Sequence, residues 1–251
     1  MRKNIAVIIL AAGMGTRMKS DKAKVLHEIQ EQPMILFVVD TARKIAGDNV
    51  IVVIGHQARK VRAVLSNIDS LLFAYQEQQL GTAHAVQCAV PQIPDHCEHV
   101  IILYGDVPLI QPETIAEFVD DHLNARRDVS LLAVELDNPC GYGRVLLDDS
   151  RQISAIVEEA DASAEQRQIK LINTGIYCID KAFLLDALPQ IRPDNAQGEL
   201  YLTDIMSVGY RENRNMGVMV GNNCQQILGI NTIQDLTAVE SLMKAGSRII
   251  S

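Results

Sequence analysis

The chain has no tryptophan and only four phenylalanines and six tyrosines in 251 residues, so its interior has to be built from aliphatic side chains. Hydrophobic residues nonetheless make up 48% of it, enough for a full core of helices packed over a sheet. It also lacks a continuous apolar stretch of roughly 18 residues, the length a membrane helix needs. The opening Met1-Arg2-Lys3-Asn4 ahead of apolar residues 5–12 imitates a secretory leader, but glycine, Arg17 and Lys19 follow at once, and a cytoplasmic protein is expected. No C-x-x-C pair occurs. The five cysteines, Cys88, Cys97, Cys140, Cys178 and Cys224, are an odd number and suit free thiols in a reducing compartment. The run His96-Cys97-Glu98-His99 has no second pair of ligands to complete a zinc site and reads as a polar loop. Positive charge is scarce overall: a net charge of −8 argues against nucleic acid or an anionic membrane as the main partner and leaves small anionic ligands open.

What the chain does have is a regular rhythm. Apolar, β-branched runs at residues 5–10, 50–55, 71–75, 100–104 and 129–136 predict strands, and residues 34–45, 58–65, 82–89 and 113–123 predict helices between the earlier ones. Alternation at this spacing implies right-handed βαβ units in a Rossmann-like, doubly wound, mostly parallel α/β sheet. Beyond Asn138 shorter strands are expected at 144–147, 153–158 and 175–179, around a polar insert at 161–168. This divides the expected nucleotidyltransferase unit, 1–231, into halves of about 1–137 and 138–231. Residues 232–251 read as one amphipathic helix and a tail.

The first strand runs into Leu10-Ala11-Ala12-Gly13-Met14-Gly15-Thr16-Arg17-Met18, and Lys24 follows in Lys24-Val25-Leu26-His27. Glycines in such a loop let the backbone turn and bring bare N–H groups against an anion, while Arg17 and Lys24 add full charges. A dinucleotide fold would need a third glycine where Met18 stands, and an acidic residue at the end of the second strand, which here closes Ile54-Gly55-His56. A kinase-type P-loop would need a Gly-Lys pair, and the chain has none. An incidental structural turn is the remaining alternative. Against it, Arg2, Lys3, Arg17, Lys19, Lys22 and Lys24 face the single acid Asp21 in the first 24 positions of an acidic protein. The loop therefore reads as a nucleoside triphosphate site. Asp106, just past the buried run at 100–104 in Gly105-Asp106-Val107-Pro108, would emerge beside it as a hard oxygen ligand suited to Mg²⁺.

This segment resembles the start of the sugar nucleotidyltransferases, and the extended form GTRMKSD…KVLH with Pro33-Met34 is most similar to the uridyltransferase domain of bacterial N-acetylglucosamine-1-phosphate uridyltransferases. Further matching motifs recur in order: residues 76–84 (QEQQLGTAH), 103–109 (LYGDVPL), 141–144 (GYGR), 156–158 (IVE), 172–175 (INTG), 198–204 (GELYLTD) and 229–231 (GIN). The resemblance implies a cytoplasmic enzyme that joins UTP to N-acetylglucosamine 1-phosphate with Mg²⁺ as cofactor, supplying a cell-wall precursor. It adds Asn231 as the second metal ligand; nothing local singles that residue out, since Ile230-Asn231-Thr232 is equally a helix N-cap. It implies that the backbone of Leu10, Ala11, Ala12 and Gly13, with Gln76, Gly81 and Thr82, contacts the uridine; Gln79, which with Gln76 follows the strand at 71–75, is a further candidate. Gly143, Glu158, Asn173, Tyr201 and Thr203 would line the amino-sugar phosphate site, with Tyr104 and Gly105 beside it. Arg144, Asp204 and His84 are read as structural supports. A glutamine amide can match the imide N–H and carbonyl of uracil and mismatch cytosine. Arg17 and Lys24 take the catalytic roles, neutralising pyrophosphate and bridging to the attacking phosphate, and no protein nucleophile or base is required, because a phosphate monoester is already largely dianionic at neutral pH. Transfer onto another sugar 1-phosphate such as glucose 1-phosphate, or a noncatalytic sugar-nucleotide sensor, are the alternatives. The resembled enzymes commonly carry a β-helix acetyltransferase domain made of hexapeptide repeats. With no such repeats here, a monomer or weak dimer without β-helix trimer or acetyltransferase activity is expected, with residues 246–251 poorly ordered or packed against a neighbour.

Overall fold

The computed structural model of the chain describes residues 2–227 and 229–246. Eleven strands and seven α-helices follow one another in the described residues as β1 (Ile5–Ala11), β2 (Glu28–Ile29), β3 (Gln32–Pro33), α1 (Met34–Ala46), β4 (Val50–Ile54), α2 (Ala58–Val64), β5 (Leu72–Tyr75), α3 (Thr82–Ala89), β6 (His99–Tyr104), α4 (Pro112–Asn124) and β7 (Val129–Glu135). Then come β8 (Arg144–Leu147), β9 (Ile153–Val157), β10 (Leu171–Asp180), α5 (Lys181–Ala187), α6 (Asp204–Arg211), β11 (Met216–Val220) and α7 (Ile233–Gly246). The main sheet runs β11-β7-β10-β6-β1-β4-β5. Only β10 is antiparallel to its neighbours along this path; β1 is parallel to both β4 and β6, as β4 is to β5 and β11 to β7. The hairpin β8-β9 hangs from the start of β10.

All seven residues of β1 are buried, which explains why its sequence is a continuous apolar run rather than an alternating one. Alternate side chains feed two cores. Ala6, Ile8 and Leu10 pack with Ala83 and Val86 of α3, Leu184 of α5 and Ile205 of α6. Ile5, Val7, Ile9 and Ala11 pack with Val38 of α1, Val61 of α2 and Phe118 of α4. Helices thus cover both faces, as the βαβ rhythm predicts. A third, smaller cluster joins Met18, Ile29, Met34, Ile230 and Val239, with Phe37 and Leu236 against it, and seats α7 on the β2-β3 hairpin beside the glycine loop.

The expected helix at 34–45 and strand at 144–147 differ by at most one residue from α1 and β8, and residues 82–89 are helical throughout as α3. The later region departs from expectation. Where a short strand at 175–179 is predicted, β10 is ten residues long, and its pairing to β7 shifts register between Asn173 and Ile176. The expected strand opens at Gly175, but here Asn173-Thr174-Gly175 is a bulge inside a longer strand. Gly175 has φ +81°, and a Cβ there would run into the Tyr104 ring. Gly175→Ala is therefore expected to cost about 2–3 kcal/mol, from a strained backbone and the ring clash together. Differential scanning calorimetry should find the Tm lowered by roughly 5–10 °C; an unchanged Tm would mean the bulge relaxes freely. Helices α5 and α6 and strand β11 are not anticipated in the sequence, β11 because Gly217 interrupts its apolar run. The polar run at 96–99 is only partly a loop: Cys97 is buried, and His99 opens β6 with its Nδ1 3.2 Å from His122 Nε2. Of residues 246–251, expected to be poorly ordered or packed against a neighbour, Gly246 closes α7 and 247–251 lie outside the described residues.

Candidate active site

Strands β1, β4, β5 and β6 all end at one edge of the sheet, and because β10 runs the other way, its early residues arrive at the same edge. Backbone bonds tie the exits together. Gly105 N–H donates to Leu10 O at 2.9 Å, His56 N–H to Ala12 O at 3.0 Å, and Gln76 N–H to Ile54 O at 2.9 Å. Leu10, Ala11 and Ala12 are buried, and the chain then emerges at Gly13. A Cβ on Gly13 would meet nothing in the chain within 4 Å. Packing therefore does not demand glycine there, and the bare backbone leaves room for an outside group to approach closely.

After this turn, residues Thr16–Met18 and Lys24–Leu26 form two short 3-10 turns. Met18, Val25 and Leu26 are buried beneath them, so the apolar residues of the loop anchor it while Arg17 and Lys24 project. Gln57, which the sequence did not single out, staples this loop to α2: its Nε2 donates to Asp21 O and its Oε1 accepts from Ala23 N–H at 3.4 Å. Only its position next to Gly55-His56 hinted at this role.

Four of the predicted residues meet at one point. The Lys24 ammonium is ion-paired with Asp106 Oδ2 and donates to Asn231 Oδ1 at 2.7 Å, and Arg17 Nη2 donates to the same Asn231 oxygen at 2.7 Å. These residues are separated by up to 214 positions in sequence. Asn231 is oriented by its own Nδ2 donating to Gly229 O at 3.2 Å, which turns Oδ1 toward the cations. The helix cap is Thr232: its hydroxyl accepts from Asp235 N–H at 3.1 Å, and the Asp235 carboxylate accepts from the backbone of Thr232 and Asn231 at 2.8 and 2.9 Å. Asn231 is thereby free of capping duty. Asp106 and Asn231 place a carboxylate and an amide oxygen around a single cationic point, a hard donor pair that fits a divalent cation sharing its remaining positions with phosphate and water. Among the described residues no group of three or more His, Cys, Asp or Glu is placed to hold a metal ion.

Gln76 is 4% exposed, and its Nε2 donates to Gly81 O at 2.9 Å; Gln79 Nε2 donates to Gln76 O at 3.2 Å. Thr82 Oγ1 accepts from Leu202 N–H at 2.9 Å and joins α3 to the 198–204 segment. On the β10 side, Asn173 Oδ1 accepts from Gly175 N–H at 2.9 Å and from the Tyr177 hydroxyl at 3.0 Å, which leaves its amide nitrogen available. Gly143 packs against Glu158, whose Oε2 would lie 3.3 Å from a Cβ there. The hydroxyls of Tyr201 and Thr203 are buried and have no hydrogen-bond partner among the described residues. Buried polar atoms rarely go without partners, and these two are open to a polar ligand or to water. Tyr104, beside Gly105, has its phenol held well above the ordinary range by burial, with Glu158 and Asp106 adding to the effect. Burial likewise pushes the Tyr201 phenol up to about 12. Arg144 is turned inward: 1% exposed, it donates to Tyr142 O and Arg167 O and pairs with Glu159 at 2.7 Å, the structural role expected of it.

Burial also raises the Glu158 carboxyl above the usual carboxylate range, and Asp161 and Asp204 push the same way; the Thr203 hydroxyl opposes them from nearby without reaching hydrogen-bond geometry. A raised folded-state value means that the folded protein holds this proton more tightly than the unfolded chain. The stability it contributes is present below the unfolded carboxyl range and is lost as pH rises through the folded value. Glu158→Gln should therefore raise the Tm at pH 8 and leave it nearly unchanged at pH 4, as followed by thermal melts across pH. A Tm gain equal at both pH values would assign the effect to packing.

A model of the MobA-like NTP transferase domain matches residues 7–169. The chain is 42% identical to the bifunctional protein GlmU of Geotalea daltonii over 98% of its own length and 56% of that protein's, and 41% identical to its counterpart in Desulfotalea psychrophila over 96% and 70%. It thus spans little more than half of the first of these relatives. Among solved structures, a protein assigned as glucose-1-phosphate thymidylyltransferase from Bacillus anthracis superposes with a TM-score of 0.71 at 20% identity over 95% of this chain and 94% of that one. HddC from Yersinia pseudotuberculosis gives 0.69 at 20% over 95% and 99%. At that identity the likeness speaks to the fold alone, which is that of the nucleotide-diphospho-sugar transferases. The chain belongs to the MobA-like nucleotidyltransferases, and within that family it groups with the GlmU proteins.

Proposed function

We propose that this protein transfers a uridylyl group from UTP to N-acetylglucosamine 1-phosphate, releasing pyrophosphate. The observation that carries the reading is the convergence of Arg17, Lys24, Asp106 and Asn231 at one point, with Lys24 packed against Gly15 of the glycine loop. A noncatalytic sensor would have no use for two cations and two hard oxygen ligands at one point. An oxygen of the sugar phosphate attacks the α-phosphorus in line, and the bond to the β-phosphate oxygen breaks as the new P–O bond forms. Backbone N–H groups after β1 receive the nucleotide, Gln76 Oε1 accepts from the uracil imide N–H, and the Asn173 amide donates to the sugar phosphate. The unpartnered Tyr201 and Thr203 hydroxyls, with Glu158, give the acetamido sugar its polar contacts. Arg17 stabilises the departing pyrophosphate, and Lys24 leaves Asp106 to span the two reacting phosphates, so catalysis rests on orientation and charge. A divalent cation, Mg²⁺ by the donor set, held by Asp106 and Asn231 supplies charge neutralisation at the phosphates when bound.

No helix among the described residues is long and apolar enough to cross a membrane. The five free cysteines are consistent with a reducing, cytoplasmic site of action. The test is pyrophosphate release from UTP, dTTP and CTP, each with N-acetylglucosamine 1-phosphate and glucose 1-phosphate. The expected result is a preference for UTP with the acetamido sugar. Equal or better turnover with glucose 1-phosphate would reassign the acceptor, and no release with any pair would favour the sensor.

A further inference from the structure

The Gln76 amide is positioned by more than its own loop. Its Nε2 lies 2.9 Å from Gly81 O and 3.2 Å from His84 Nδ1, so one NH₂ group faces two acceptors. The Gly81 carbonyl is firmly placed. Gly81 sits at φ +113° against the backbone of Leu200, which is itself bonded to Leu80 O and Ala83 N–H at 2.8 Å each. Turning the amide over would press Oε1 against that carbonyl. For His84 Nδ1 to accept the second hydrogen, the neutral imidazole must carry its proton on Nε2, and Nε2 is 3.7 Å from Cys88 Sγ, a weak acceptor. With both hydrogens engaged, Gln76 presents only Oε1 outward. That oxygen has no hydrogen-bond partner among the described residues and is not among the fully enclosed polar atoms.

We propose that His84 is a positioning residue that fixes the Gln76 amide as an acceptor and so sets the preference for a base with an N3–H, uracil, over cytosine, whose N3 is itself an acceptor. The inference rests on the nucleotidyl-transfer reading above. His84 need not touch the nucleotide: without it the amide is held by the Gly81 carbonyl alone, and the reorientation that suits cytosine, still opposed at Gly81, costs one hydrogen bond less.

The test compares kcat/KM for UTP and CTP in the wild type, in His84→Phe, which keeps a ring but removes the acceptor, and in His84→Gln, which returns one. His84→Phe should lower the UTP:CTP ratio by about threefold to tenfold, the worth of one neutral hydrogen bond, mainly through KM for UTP. His84→Gln should recover part of that loss. Nitrogen-15 NMR of histidine-labelled wild type should find His84 as the Nε2–H tautomer. An unchanged ratio in His84→Phe, with both nucleotides slowed alike, would make His84 a helix-packing residue only; an Nδ1–H tautomer would overturn the proposal even if that variant failed to fold. A wild type that turns over UTP without preferring it to CTP would sink this inference alone, whereas one that turns over neither would sink the functional reading beneath it.

Discussion

Asp106→Ala is expected to reduce turnover by about 10³-fold, the several kcal/mol that a divalent clamp on transferring phosphates contributes, while leaving the fold intact. The Asp106 side chain is 15% exposed at the crevice, and its main interaction is the ion pair with Lys24. Without the carboxylate, the Lys24 ammonium keeps its bond to Asn231 and reaches water. The backbone bond from Ile230 N–H to Asp106 O at 2.9 Å, which holds the last segment in place, does not depend on the side chain. The Tm should therefore stay within about 2 °C of wild type, as for substitutions outside the core. Near wild-type turnover would remove Asp106 from the reaction, and a collapsed Tm would make it structural.

Lys24→Ala and Arg17→Ala should each slow kcat by roughly 10²-fold or more, the usual effect of deleting a positioned charge-stabilising group. The geometry separates them. Lys24 is 14% exposed and sits between Asp106 and Asn231, whereas Arg17 is more open and reaches Asn231 only through Nη2. Removing Lys24 also leaves the Asp106 carboxylate without its counter-charge, so Lys24→Ala should bind free divalent cation more tightly even as it loses turnover. Arg17→Lys should recover only part of the rate lost in Arg17→Ala, since an ammonium cannot hold two phosphate oxygens as the planar fork does. Steady-state pyrophosphate release checks all three variants. Wild-type rates in either alanine variant would reduce these cations to surface charge.

The first half of the fold was legible because its signals are local. Continuous apolar runs and flanking turns give β1, β4 and β6, and the proposed phosphate loop stands out by its glycines and charges within fifteen residues. Asp106 was legible for the same reason, as a carboxylate just past a buried strand. Asn231 was not: it takes its place through the packing of Ile230 and Val239 on Met18 and Met34, a contact across most of the chain, and through the transfer of the capping role to Thr232. The bulge at Asn173-Thr174-Gly175 hid the first part of β10: pairing to β7 runs through Asn173 and resumes at Ile176, while Gly175 between them sits at positive φ, and in sequence such a glycine looks like the start of a strand. The unpartnered hydroxyls of Tyr201 and Thr203 are equally invisible in sequence, since burial without a partner is a property of the assembled site.

The central claim, that Asp106 and Asn231 form one cation and phosphate site with Lys24 and Arg17, is tested most directly by electron paramagnetic resonance of Mn²⁺ with UTP bound to the protein. In the wild type, UTP should strengthen Mn²⁺ binding, and the bound ion should hold fewer waters than in Mn²⁺-UTP free in solution. The Asp106→Ala, Asn231→Ala double variant should lose both effects while melting near the wild-type temperature. Unchanged Mn²⁺ affinity and hydration in that variant would contradict the account.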